Sequence, residues 1–295
     1  MIPRFKTTFL SAFIAASMLP LSACTKEETE VEYESEHVTD QFIQSQRDAL
    51  AANTKGKGFG PQSPRDLNTL TGNNPGTFAA APPSAEMNLC NIHFHKNAEH
   101  KGGNFDKFAG NGDGHGFQTG YVYNGQLTPA ELTATKEDIC PNKHGNLFSG
   151  DTIEVHYVHS SADVTPAPGL GNCLGGLESQ PQLRVETQVF VLVNDSAALD
   201  FNELTEHGVK DGFQQPLNLP TNTGTPIQYA GSTTGPKYNE TASPLHVTWS
   251  VRPQVAKVNI ETVGSWCEEN IYNEDHAHGV RNLVINPDLN SPITK

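Results

Sequence analysis

Two imidazoles stand two residues apart in Asn91-Ile92-His93-Phe94-His95, and a third lies in Glu154-Val155-His156-Tyr157-Val158-His159. Both stretches alternate polar and apolar residues, the period of a β-strand with one face buried. In a strand, His93 and His95 share one face, roughly 7 Å apart, while Ile92 and Phe94 take the other. His156 falls on the face of Glu154, away from Val155 and Tyr157. If the two strands are neighbours, three neutral nitrogen donors converge. That is the ligand set of a catalytic zinc with an open fourth position, not of a closed structural site. Glu154 strengthens the reading, because a metal-bound imidazole usually donates its other N–H to a carboxylate or carbonyl.

A sheet has to hold such strands, and the sequence offers the material for one. Residues 182–194 are a β-rich run, half alternating and half continuously apolar, as in a strand buried within a sheet. Residues 246–252 and 255–263 repeat the signal. The 26 Gly and 20 Pro favour loops between strands over a helical bundle. Few helices are expected. Thr128-Pro129-Ala130-Glu131 matches a capping box with Pro at the first helical position and leads into a helix to residue 139. Short helices are also expected over 40–52 and within 195–205. Residues 59–295 read as a single, mainly β domain with long insertions.

With 33 acidic against 19 basic side chains, the formal net charge is −14. Residues 1–23 carry Arg4 and Lys6 and no acid, so the remainder is more negative still. This excludes a general nucleic-acid binder, since phosphate-backbone affinity needs basic patches. Residues 1–23 read as a secretory signal: a basic start, an apolar stretch over 9–19, then small residues. The end, Leu21-Ser22-Ala23-Cys24, resembles a bacterial lipobox, whose cysteine becomes the lipidated first residue of the mature protein. With Thr25 rather than Asp next, that resemblance implies an exported protein, lipid-anchored in the outer membrane and facing the periplasm. Residues 24–58, with Glu27, Glu28, Glu30 and Glu32, read as an acidic solvated tether. Cys90, Cys140, Cys173 and Cys267 form an even set without a C-x-x-C, which in an exported chain implies two disulfides with three possible pairings. Cys140 and Cys173 flank one strand, which favours Cys140–Cys173 and leaves Cys90–Cys267.

Five segments occur in a fixed order: Gln62-Ser63-Pro64-Arg65-Asp66-Leu67; His93-Phe94-His95 with Glu99-His100; Glu154 to His159; Tyr229-Ala230-Gly231-Ser232-Thr233-Thr234; and Val247-Thr248-Trp249-Ser250-Val251. Together they resemble the conserved stretches of α-type carbonic anhydrases. Gln62 and His93 are closer, and Glu99 and Glu154 farther apart, than in that type. With the run from Asn91 to Lys101 and Gly231-Ser232-Thr233-Thr234-Gly235-Pro236, the pattern is most similar to the δ class. The resemblance implies a large central, mostly antiparallel twisted sheet and a Zn²⁺ ion held by His93, His95 and His156. Glu154 would orient His156. Thr233 or Thr234 would orient the attacking oxygen, donating its own hydrogen to Glu99. The implied reaction is the reversible hydration of CO₂ to bicarbonate and a proton, by attack of zinc-bound hydroxide on CO₂.

The implied partners are CO₂ and bicarbonate, and a membrane through the lipid anchor. The rival reading is a non-catalytic envelope lipoprotein that keeps the fold and binds zinc or a partner; ester hydrolysis is a third, as a side activity. The α type's proton-shuttle histidine sits on a segment missing here. His115 and His144 lie in the long insertion, and direct transfer to buffer is the favoured route. His100 and His159 read as packing or hydrogen-bonding residues, and His276 and His278 as solvated ones.

Overall fold

The two alternating runs that carry the histidines become adjacent antiparallel strands in the computed structural model, which describes residues 37–176, 180–233 and 236–294. The strands in chain order are β1 (Asn88–Lys96), β2 (Lys107–Asn111), β3 (Thr119–Val122), β4 (Thr152–Ser160), β5 (Leu183–Val193), β6 (His207–Lys210), β7 (Phe213–Pro216), β8 (Ile227–Ser232), β9 (His246–Val251) and β10 (Ala256–Asn259). The helices are α1 (Asp40–Thr54), α2 (Phe201–Thr205) and α3 (Ile260–Glu268). Six strands make the main sheet in the order β1-β4-β5-β9-β8, with β10 also on β5. The chain is mainly β, as the alternation implied. The sheet is mixed: β1–β4, β4–β5 and β8–β9 are antiparallel, whereas β9 and β10 both run parallel to β5. The long β5 accommodates both, pairing β9 along Arg184–Thr187 and β10 along Phe190–Val193.

Each face of the sheet buries its own core. Ile92 and Phe94 of β1, Val155 and Tyr157 of β4, and Phe190 and Leu192 of β5 pack with Phe201 of α2 and Val263 and Trp266 of α3. On the other face lie Val158, Val185, Val189, Val247 and Trp249. The period-2 rule thus sends His93, His95 and His156 to the second face, while His159 has the parity of Val155 and Tyr157.

The cysteines follow the same division, which corrects the pairing drawn from the sequence. Cys90 joins Cys173 and Cys140 joins Cys267, with Cα–Cα distances of 5.2 and 5.6 Å. Cys140 and Cys267 belong to the core under α3, while Cys90 and Cys173 belong to the histidine face. Flanking β4 in sequence placed Cys140 and Cys173 on opposite sides of the sheet.

Two helix expectations and one strand expectation meet different outcomes. The capping box forms, with Glu131 N–H donating to Thr128 Oγ1 at 3.3 Å and Thr128 N–H to a Glu131 carboxylate oxygen at 2.8 Å. It closes only one turn, because Thr133 and Thr135 follow with poor helix propensity and Glu131 also pairs with Lys257. Residues 255–263 are not one strand. Asn259 caps α3 by accepting from Glu261 N–H, and Ile260, Val263, Trp266 and Cys267 recur at helical spacing. Helix α1 forms over the expected residues, but it is seated on the body instead of lying in a solvated tether. Ile43, Gln46, Leu50 and Thr54 are buried, Gln46 donates to Gly114 O at 2.8 Å, and Leu50 packs on Val284 and Leu289. The signal segment, Cys24 and the start of the tether lie outside the described residues.

His159, at the end of β4, is fully buried, its Nδ1–H donating to Tyr157 O at 3.0 Å while Nε2 meets no partner. Burial holds its pKa down to about 4. A folded-state pKa below the unfolded value of about 6.5 means that its contribution is complete above that pH and is lost as pH falls toward 4. It should cost about 2 kcal/mol of stability between pH 7 and 5. Urea unfolding of wild type and His159→Leu at both pH values checks this; an equal pH slope in the two proteins would contradict it.

Candidate metal centre

Register brings the histidines together. In the β1–β4 ladder His93 lies opposite His156, and His95 opposite Glu154. The ring centroids of His93, His95 and His156 are 4.7 to 5.3 Å apart, and one nitrogen from each lies within 4.8 Å of the others. All three are buried.

The outward hydrogen bonds decide which nitrogens remain. His93 Nδ1 faces Asn91 Oδ1 at 2.7 Å, and the amide of Asn91 is oriented by its Nδ2 donating to Ala167 O at 3.4 Å. His95 Nδ1 faces Gly279 O at 2.8 Å, and a carbonyl can only accept. His156 Nε2 faces Glu154 Oε1 at 2.7 Å. Each of these nitrogens carries the proton, which leaves lone pairs on His93 Nε2, His95 Nε2 and His156 Nδ1. His95 Nε2 is buried without a partner. His93 Nε2 and His156 Nδ1 face each other at 3.2 Å as two acceptors. Neighbouring nitrogens of a tetrahedral zinc with bonds of 2.0–2.1 Å would be separated by ~3.3 Å. An orphaned buried acceptor and two opposed lone pairs at that spacing fit a cation between them.

The electrostatics agree with neutral donors. Burial, reinforced by the crowding of His156, His95 and His278 around it, holds His93 well below the usual imidazole pKa. Burial likewise brings His95 down to about 4, against the opposing pull of Glu99. Neutral imidazole is the metal-binding form.

Behind the ligands sits a buried polar layer. Glu154 Oε1 meets His156 Nε2 and His100 Nδ1, each at 2.7 Å, and Oε2 accepts the His100 backbone N–H at 3.1 Å. Burial would raise the pKa of this carboxyl, but His100 and His156 together hold it well below the usual carboxylate range. His100 Nε2 faces Tyr229 OH at 2.7 Å. Glu99 accepts the Arg281 backbone N–H at 3.0 Å and lies 3.9 Å from both His95 Nδ1 and His156 Nε2. His93, His156 and Thr233 border a cavity of about 40 Å³ whose other walls are mainly apolar, among them Val158, Val185 and Trp249. That is room for one or two small molecules.

The family model for delta carbonic anhydrase matches residues 84–262, which span both histidine strands and the β8–β9 ladder. The chain belongs to the delta carbonic anhydrase family. No curated protein matches the sequence. Among solved structures, it is similar to a hyperthermostable carbonic anhydrase from an active hydrothermal vent chimney, at 14% identity and a TM-score of 0.29, covering 83% of this chain and 90% of that one. The alpha-carbonic anhydrase of Photobacterium profundum aligns at 16% identity and a TM-score of 0.27, covering 84% and 96%. That of Thermovibrio ammonificans, in complex with sulfanilamide, aligns at 14% and 0.27, covering 81% and 89%.

In this delta carbonic anhydrase family member, the other residues singled out from the sequence fall as follows. Thr233 borders the cavity, and its hydroxyl pairs with Ser243 Oγ at 2.8 Å. Thr234 lies outside the described residues. His115 is exposed, and His144 stacks on Phe117 at 3.5 Å between centroids. His100 is a buried hydrogen-bonding residue, as read.

His278 is not simply solvated. Its ring centroid lies 5.6 and 5.7 Å from those of His93 and His95, and Nε2 pairs with Glu274. Burial works against protonation of His278, but Glu274 raises its pKa above the ordinary value. Sequence reasoning also missed Gly279, which fixes the His95 tautomer by a main-chain atom and so leaves no side-chain signal. Asn91 was within reach: it stands two residues before His93 in the same strand.

Proposed function

We propose that this protein catalyses the reversible hydration of CO₂ to bicarbonate and a proton, using zinc held by His93, His95 and His156. A carbonic anhydrase by family, it has one observation that carries the finer reading: three inward lone pairs converge beside a small apolar cavity. Three neutral nitrogens with an open fourth position suit Zn²⁺ better than Mg²⁺ or Ca²⁺, which take oxygen ligands. Zinc bound there supplies the acidity that makes water a nucleophile near neutral pH, a property for which carbonic anhydrases are themselves the standard example.

The chain's own residues do the rest. Glu154 keeps the proton of His156 on Nε2, as Asn91 and Gly279 do for the Nδ1 protons of His93 and His95. Val158, Val185 and Trp249 offer an uncharged linear substrate an apolar seat. A hydroxyl of the Thr233–Thr234 pair, donating to Glu99, would turn its own oxygen into an acceptor for the attacking water. Glu99 already accepts a main-chain N–H, from Arg281. Proton release goes to buffer.

Stopped-flow CO₂ hydration by purified protein of known metal content tests the assignment. One zinc per chain and buffer-dependent turnover are expected, with His115→Ala and His144→Ala close to wild type. Stoichiometric zinc without hydration would instead favour a binding protein that keeps the fold.

We also propose that Cys24 is the lipidated mature N-terminus, anchoring the protein in the outer membrane on the periplasmic side. Its support is the lipobox-like Leu21-Ser22-Ala23-Cys24. Attached acyl chains would contribute about 0.8 kcal/mol per buried CH₂. Mass spectrometry should find diacylglycerol on an N-terminal Cys24; an unmodified cysteine in membrane-free periplasm would refute it.

A further inference from the structure

One wall of the cavity does not come from the sheet. Between β4 and β5 the chain makes an excursion containing a short 3₁₀ helix, Leu170–Leu174, and Leu170, Cys173 and Leu174 border the cavity together with Trp249 and Val247. This excursion is tied to the strand that carries His93 and His95. Cys173 is joined to Cys90, and Cys90 O accepts from Ala167 N–H at 3.2 Å and from Asn172 Nδ2 at 3.0 Å. Ser160 Oγ, at the end of β4, donates to Cys173 O at 2.7 Å. The two leucines are therefore held at a fixed distance from the ligand strands. Leu170 is 38% exposed, which puts it at the rim, while Cys173 is buried below it.

We propose that Leu170 and Leu174 form a specificity-determining wall that restricts the metal centre to carbonyl substrates about the size of CO₂. The inference rests on the function proposed above. Water made nucleophilic at this site would attack ester carbonyls by the same chemistry, so what would separate CO₂ from an aryl ester is space. The cavity of about 40 Å³ has none for a benzene ring while the leucines stay in place. A single methylene in an apolar pocket changes discrimination roughly 10- to 200-fold, and leucine-to-alanine removes more than one.

The test compares full-length wild type with Leu170→Ala, Leu174→Ala and Leu170→Trp. Three readouts are needed: metal content, the ratio of kcat/KM for para-nitrophenyl acetate to that for CO₂, and xenon binding by NMR. Xenon enters dry apolar cavities whether or not metal or catalysis is present. The ester-to-CO₂ ratio should rise at least roughly tenfold in each alanine variant and fall in Leu170→Trp. Xenon binding should strengthen in the first two and vanish in the third. The rim position of Leu170 keeps its variants foldable if Leu174→Ala is not. Unchanged ratios and unchanged xenon binding in a CO₂-hydrating protein would overturn the wall and leave the proposed function standing. If zinc-loaded wild type hydrates no CO₂, the proposed function fails, and xenon alone decides the wall: a signal insensitive to Leu170→Trp overturns it.

Discussion

Replacing His95 or His156 by alanine is expected to yield a folded protein that keeps less than stoichiometric zinc and hydrates CO₂ no faster than buffer. Each residue supplies one of the three inward lone pairs found among the described residues, and two imidazoles leave a tetrahedral ion half unheld. The sheet should survive, because the β1–β4 ladder is made by main-chain bonds and the opposite faces of both strands keep their apolar packing. The local cost is a buried acceptor without its donor: Gly279 O in His95→Ala, and one lone pair of Glu154 in His156→Ala. Such losses run to about 1–3 kcal/mol. Elemental analysis and far-ultraviolet circular dichroism separate metal loss from unfolding. Full metal retention in both variants would end the assignment of the ligands.

The second large effect is expected one layer out. Glu154 receives three N–H groups, from His156 Nε2, His100 Nδ1 and the His100 main chain. A carboxylate can accept them all, but the amide of Glu154→Gln must turn its NH₂ toward at least one donor. His156 then loses either its anionic partner or its fixed tautomer. Zinc affinity should fall about 10- to 100-fold, the usual consequence of losing such a partner. A chromophoric chelator in competition with the protein measures it. Unchanged affinity would show that Glu154 does not set the state of His156.

The ligand strands were legible because two short alternating runs each placed polar donors on one face and large apolar residues on the other, a pattern with few other meanings. His93, His95, His156 and Glu154 all stand where that alternation put them. What was not legible belongs to segments without a period. His278 and Gly279 come from a C-terminal stretch that reaches the site through an isolated bridge between His95 and His278. Helix α3 hid behind β-branched residues, although the Asn259 cap and the spacing from Ile260 to Trp266 were there to be read. The parallel partners of β5 depend on which strands its two halves meet, a tertiary matter that hydrophobic pattern leaves open.

The two cross-links bear on how the chain finds its fold. They close overlapping loops, with sequence separations of 83 and 127 residues. Cys140 and Cys173 are the nearest pair along the chain. Closing their loop instead of the longer native one costs an unfolded chain about 1 kcal/mol less in entropy. Polymer statistics therefore favour the wrong bond, and only burial of these two cysteines on opposite faces of the sheet excludes it. Oxidation that outruns sheet formation would trap the shorter loop. Correct pairing is thus a product of tertiary order, and thiol–disulfide exchange is the route back from an early mistake.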